Sequence, residues 1–163
     1  MNKNVPLIET ERLTLRGIEE RDTDIIVKWR SDPAVYRYLG SPHPLTVQEH
    51  ERWFREIYSF DSNRWDWIAE GKADKAPIGL FGIKRESREA KECEVSYLLA
   101  PEAQHKGYAG EALDGLLEWA KTNCGAREAT AKIHVDNAAS LRFIEKLEFQ
   151  RNMSDFVLYR KTL

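Results

Sequence analysis

At 163 residues the chain is long enough for one domain with a sizeable core and too short for two ordinary ones. Its composition, 42% hydrophobic and 32% charged, is that of a globular protein. The longest apolar stretches fall far short of a membrane span, and the N-terminus lacks the apolar core of a signal peptide, so a cytoplasmic protein with no membrane partner is expected. A formal net charge of -2 argues against a broad nucleic-acid surface.

In chain order, Arg12 to Arg16 alternates polar and apolar residues, as a first strand would. Asp22 is placed to cap a helix running to about Ser31, which Asp32-Pro33 ends. Thr46 with Glu49 fits a capping box for a second helix through about Tyr58, with Trp53, Phe54 and Ile57 on a shared side. Between these helices Tyr36 to Pro44 is irregular and rich in aromatic and turn residues, the composition of a loop bordering a site. Arg64 to Glu70, Pro77 to Ile83 and Glu92 to Leu99 read as three strands, separated by the polar turns Gly71 to Lys75 and Ser87 to Lys91. They predict an antiparallel meander.

Next comes Gln104-His-Lys-Gly-Tyr-Ala-Gly110, a glycine-bearing turn between the third meander strand and an amphipathic run to about Thr122. Ala109, Ala112, Leu113, Leu116, Leu117 and Ala120 form the buried stripe of that helix. Thr130 to Val135 is a strand, Ala138 to Leu147 a helix, and Phe149 to Met153 with Phe156 to Arg160 a closing hairpin. The order predicts an α+β (mixed αβ) domain spanning 1–163 around a central mixed sheet flanked by helices. A dinucleotide-binding unit is excluded, because its glycine pattern and early strand–turn–helix are missing.

Helix starts expose free N–H groups and the positive end of the dipole, so the turn suits a phosphorylated ligand. Gly107 and Gly110 are its permissive positions, amides from His105 to Gly110 would surround a pyrophosphate, and Lys106 and Gln104 add charge and a side-chain donor. The turn lacks the Gly-Lys-Ser/Thr ending of a P-loop, which argues against ATP hydrolysis. Cys93 and Cys124 read as free thiols. His43, His50 and His134 form no ligand set, and no metal is expected.

Gln104 to Ala109 matches the Gln/Arg-x-x-Gly-x-Gly/Ala signature of the GNAT superfamily of acetyltransferases. Glu9 to Arg16, Glu94 to Pro101 and Asn137 to Phe149 resemble, in this order, further blocks of its ribosomal-protein N-terminal acetyltransferase branch. Two positions depart from the pattern. Glu148 stands where the family usually has glycine, and Gly110 where a small hydroxyl residue is common.

The resemblance implies acetyl-CoA as donor, an amine as acceptor, and two central strands splayed apart near the cofactor. Tyr97, Leu98 and Leu99 would hold the pantetheine arm with Asn137, Ser140 would lie near the donor sulfur, and Phe143 would pack against the cofactor. Attack of an amine on a thioester needs a proton acceptor, a donor for the oxyanion and a proton for the departing thiolate. Glu94 is the first candidate base, and burial there would favour proton uptake; Glu92 shares its face and could serve instead, or form an acidic patch with it. A late tyrosine is the thiolate acid in many relatives, which makes Tyr159 a further candidate. Tyr36, Tyr38, Trp53 and Trp67 are candidates for the acceptor wall, with a small-molecule amine or a protein N-terminus as acceptor. Homodimerisation through helix or terminal-strand surfaces is compatible with the pattern. The alternative reading is a non-catalytic acyl-CoA-binding or sensing module on the same fold.

Overall fold

The computed structural model describes residues 3–39, 43–152 and 157–163. Gly40 to Pro42 of the irregular loop, and Met153 and Phe156 of the expected closing hairpin, lie outside the described residues. Among the described residues eight strands form one sheet: β1 (Ile8–Glu9), β2 (Leu13–Gly17), β3 (Arg64–Gly71), β4 (Pro77–Lys84), β5 (Glu92–Leu99), β6 (Glu128–Ile133), β7 (Gln150–Asn152) and β8 (Val157–Thr162). Their order is β1-β2-β3-β4-β5-β6-β8-β7, antiparallel throughout except for the parallel pair β5–β6. Among the described residues five α-helices flank the sheet: α1 (Thr23–Arg30), α2 (Pro33–Tyr36), α3 (Val47–Glu56), α4 (Tyr108–Cys124) and α5 (Ala138–Lys146).

Local chemistry explains most of these elements. Gly71 and Lys75 close the β3–β4 hairpin: Gly71 N–H donates to Ala76 O, and Lys75, at φ 59°, donates to Gly71 O. The capping box on α3 forms as expected, with Thr46 and Glu49 satisfying each other's backbone N–H groups. Helix α4 ends at Gly125, whose left-handed φ of 60° is the usual glycine C-cap. Alternation along the strands puts Leu13, Leu15, Trp67, Phe81, Cys93 and Val95 on one face. Helix α4 covers that face, with Trp119 meeting the rings of Trp65 and Trp67 edge-on at 5.2 and 5.1 Å. Leu113, Leu116 and Leu117 are buried there, each contributing on the order of 2 kcal/mol. Helices α1 and α3 cover the other face, where Arg16 of β2 reaches Asp22.

Several expectations need correction. Asp22 holds the N-cap position of α1 as expected, but its carboxylate bonds no N–H of that helix: it is taken by Arg16 (2.8 and 2.9 Å) and by the Glu19 N–H (2.8 Å), because a buried charge needs a paired cation more than a helix needs a cap. Asp32-Pro33 ends α1 and also starts α2, Asp32 accepting from Ala34 N–H at 2.9 Å. Ile57 lies past the end of α3 and is 59% exposed, so it does not share the buried side of Phe54. Strand β6 begins two residues before Thr130 and ends before the exposed Val135. Glu148, in place of the usual glycine, takes the glycine conformation itself at φ 66°.

Candidate active site

Strand β5 pairs with β4 from Lys84↔Glu94 to Gly79↔Leu99, but with β6 only at Glu92↔Glu128, Cys93↔Ala129 and Glu94↔Thr130. Beyond Glu94 the two strands part. Ala100 donates to Ile78 O on β4 at 2.9 Å, so by strand alternation Leu98 also faces β4, while Tyr97 and Leu99 turn their backbone groups to the opened edge. An unpaired edge in a covered site needs a partner, and an extended ligand with its own amide groups supplies one.

The gap is bridged by side chains from beyond β6. Tyr97 on β5 and Ser140 in the first turn of α5 share a hydrogen bond of 2.6 Å between their hydroxyls. The Phe143 ring meets Tyr97 edge-on at 5.2 Å. Asn137 caps α5 by accepting from Ser140 N–H at 3.3 Å, which sets the serine in place. Burial pushes the Tyr97 phenol up to about 12, partly opposed by its bond to Ser140, so it stays protonated at neutral pH. The structure thus brings Tyr97, Asn137, Ser140 and Phe143 together at the mouth of the gap.

The glycine-bearing turn lies between the end of β5 and α4. Gln104, His105, Lys106 and Gly107 are exposed, and His105 (φ 62°) and Gly107 (φ 79°) both take left-handed conformations. The first bond into α4 runs from Glu111 N–H to Gly107 O, which leaves Tyr108, Ala109 and Gly110 N–H groups without a helical acceptor. Exposed amides gathered by left-handed residues at a helix start form a concavity that fits phosphate oxygens. Glu111, an acid in this first turn, is neutralised by Arg12: Nε to Oε2 and backbone N to Oε1 are both 2.7 Å, and Thr10 Oγ1 donates at 2.6 Å. Nothing in the spacing of Arg12 and Glu111 along the chain signals this pair.

The candidate bases lie on the opposite face from Tyr97. Glu94 is 38% exposed rather than buried, and Lys132 Nζ holds it at 3.1 Å across the point where the strands part. Glu92 shares Arg160 with Glu128, so the two acids do not form a free acidic patch. Trp67 cannot line an acceptor wall: it is fully buried under α4 with Nε1 donating to Pro6 O at 2.7 Å. Trp53 stacks on Tyr58 at 5.0 Å beneath the Arg64 guanidinium, which gives it a packing role. Tyr36 is half-buried in α2. Tyr38 meets His134, at the end of β6, with ring centroids 5.7 Å apart, so these two rings come together where α2 and β6 approach each other. Tyr159 is removed as a thiolate acid, being buried with its hydroxyl donated to Glu145 at 2.6 Å.

The family model described as an acetyltransferase (GNAT) domain matches residues 12–150. The chain is 29% identical over 146 residues to an uncharacterized N-acetyltransferase, p20, of Bacillus licheniformis, covering 87% of this chain and 81% of the relative. It is 27% identical over 149 residues to the uncharacterized N-acetyltransferase YoaA of Bacillus subtilis, covering 90% and 84%. Its fold matches that of a spermidine N-acetyltransferase from Vibrio cholerae, solved with CoA and spermine, at a TM-score of 0.79 and 20% identity over 91% of this chain and 93% of that one. A nucleotide-linked sugar acetyltransferase and a ribosomal-protein α-N-acetyltransferase match at TM-scores of 0.81 and 0.76, so the ribosomal-protein branch is not singled out. Among the described residues no helix is long and apolar enough to cross a membrane.

Proposed function

The chain belongs to the GNAT acetyltransferase family, and from that premise we propose that it transfers the acetyl group of acetyl-CoA to a primary amine by direct attack. The observation that carries this reading is the parting of β5 and β6 after Glu94, bridged by the Tyr97–Ser140 hydrogen bond. The exposed amides of the turn before α4 suit the pyrophosphate, and the backbone groups of Tyr97 and Leu99 suit the amides of pantetheine. Asn137, Ser140 and Phe143 then enclose the end of the arm.

The two faces of the opened sheet divide the chemistry. On the α4–α5 face, Ser140 offers its hydroxyl to the sulfur as the carbon–sulfur bond breaks, while its oxygen accepts from the Tyr97 phenol. A hydroxyl is a far weaker acid than a thiol near 8.5, so the contribution of Ser140 is a hydrogen bond to developing charge. On the other face, Glu94 takes the proton released by the attacking amine, through water because Lys132 occupies one of its oxygens. The Tyr38–His134 pair then flanks the acceptor, either a small-molecule amine or a protein N-terminus.

The test is thiol release from acetyl-CoA across N-terminal peptides, polyamines, amino sugars and aminoglycosides, with mass detection of the product. An acetylated amine from one class supports the reading and names the acceptor. Tight CoA binding with no product from any class would support the sensing module, and loss of both binding and turnover would overturn the cofactor assignment.

A further inference from the structure

Arg12 makes more contacts with the turn before α4 than any motif in the turn accounts for. Its Nη1 donates to Lys106 O at 3.0 Å, its guanidinium lies 4.5 Å from the centre of the Tyr108 ring, and a side chain placed on Gly107 would come within 3.4 Å of its Nη2. The arginine is itself fixed by Glu111 through both its Nε and its backbone N–H, and Thr10 holds the same carboxylate.

The bond to Lys106 O decides the direction of a neighbouring donor. The Lys106–Gly107 peptide is planar and trans, so its C=O and N–H point opposite ways. With the carbonyl drawn to Arg12, the Gly107 N–H faces away from the guanidinium. Gly107 sits at φ 79°, and a residue without Cβ takes negative φ about as readily. The peptide plane therefore has two accessible orientations, as in paired turn types that differ by one peptide flip. In the second, a carbonyl oxygen replaces an N–H beside the helix start, where it repels an anion.

We infer that Arg12 is a positioning residue that locks the Lys106–Gly107 peptide in its anion-binding orientation. The inference rests on the acetyl-CoA reading and adds a control element from the N-terminal hairpin, 94 residues away in the chain. It acts through the turn, and Glu111 acts through it by holding the guanidinium.

The experiment compares the wild type with R12Q, R12K and E111Q by calorimetric titration of CoA, with S-acetylpantetheine as a donor that lacks the pyrophosphate. R12Q is expected to weaken CoA binding about tenfold, the loss of one hydrogen bond to a charged group, and to leave the Michaelis constant for S-acetylpantetheine unchanged. R12K, which keeps the charge but cannot span Glu111 and Lys106 O together, should recover only part of the affinity. E111Q keeps the cation and loosens its support, and should also weaken CoA binding. In ligand-free protein the Gly107 amide resonance should be single in the wild type and broadened or doubled in R12Q. An R12Q affinity within twofold of wild type, or an unchanged Gly107 resonance, overturns the inference. Weaker binding in R12Q with unaltered binding in E111Q also overturns it, since Arg12 would then act as a bare charge. A wild type that fails to bind CoA overturns the cofactor reading together with the inference.

Discussion

The two faces of the opened sheet are built from different material. The α4–α5 face presents backbone: exposed amides at the helix start, the free edge of β5, and a serine set by its own helix cap. The α1–α3 face presents side chains already engaged with one another: Arg16 with Asp22, Arg64 with Asp66, Lys132 with Glu94, and Tyr38 against His134. A backbone site is indifferent to most substitutions, which under the proposed function suits the constant cofactor. A side-chain site is rewritten by each substitution, which under the proposed function suits the acceptor.

The largest test of that contrast sets Ser140 against Glu94. S140A should lower kcat about a hundredfold with little change in CoA affinity, the cost of one hydrogen bond to developing charge, and E94Q should also lower it about a hundredfold, the low end of what a proton-accepting group contributes. Steady-state kinetics with the acceptor that the thiol-release screen identifies provide the check. An S140A effect confined to the CoA Michaelis constant would place Ser140 in binding alone. Next, Y38A should raise the acceptor Michaelis constant about fivefold at constant CoA affinity, equivalent to about 1 kcal/mol of lost contact. W53A should instead lower the melting temperature, because Trp53 spends its ring on Tyr58 and Arg64.

Acid should loosen the α1–α3 face first. Burial, with the Arg30 cation nearby and only partial relief from Asp22, pushes His50 down to about 4, and its Nε2 has no partner among the described residues. The unfolded chain binds a proton on this histidine near 6.5 and the folded chain does not, so the stability it contributes is present above 6.5 and is lost as pH falls toward 4. Hydrogen exchange at pH 4.5 should therefore speed up in α3 relative to α4, and H50Q should reduce the difference. The smallest effect is E148G, which relieves a left-handed non-glycine residue and should stabilise the protein by about 1 kcal/mol in denaturant titration.

The contrast also explains what could be read from the chain. The turn from Gln104 to Gly110 and the Asn137–Ser140 pair are contiguous, because a helix start and a cap are local structures whose residues lie side by side in the sequence. The strands, the mixed sheet and the α4 stripe follow from periodicities of similar range. The engaged side chains do not. Lys132 against Glu94 and Arg160 between Glu92 and Glu128 join residues that only the sheet register brings together, and Arg12 on Glu111 joins residues that only the packing of α4 on the sheet brings together. Trp67 shows the same limit from the other side: its alternation marks a strand, and only the position of α4 reveals that its ring is sealed beneath a helix.

The three-pair ladder between β5 and β6 has a mechanical meaning as well. It divides the sheet into a five-stranded piece and a three-stranded piece, joined by a short seam, by the side-chain pairs Tyr97–Ser140, Glu94–Lys132 and Glu92–Arg160, and by the covalent link through α4. Under tension applied at the chain ends, the seam should rip before either antiparallel piece shears, and the C-terminal strands should peel away as a unit. A molecule lying lengthwise in the cleft and bonded to both banks works as stitching. In an optical trap, the load needed to open the seam would then report, one molecule at a time, whether the cleft is filled.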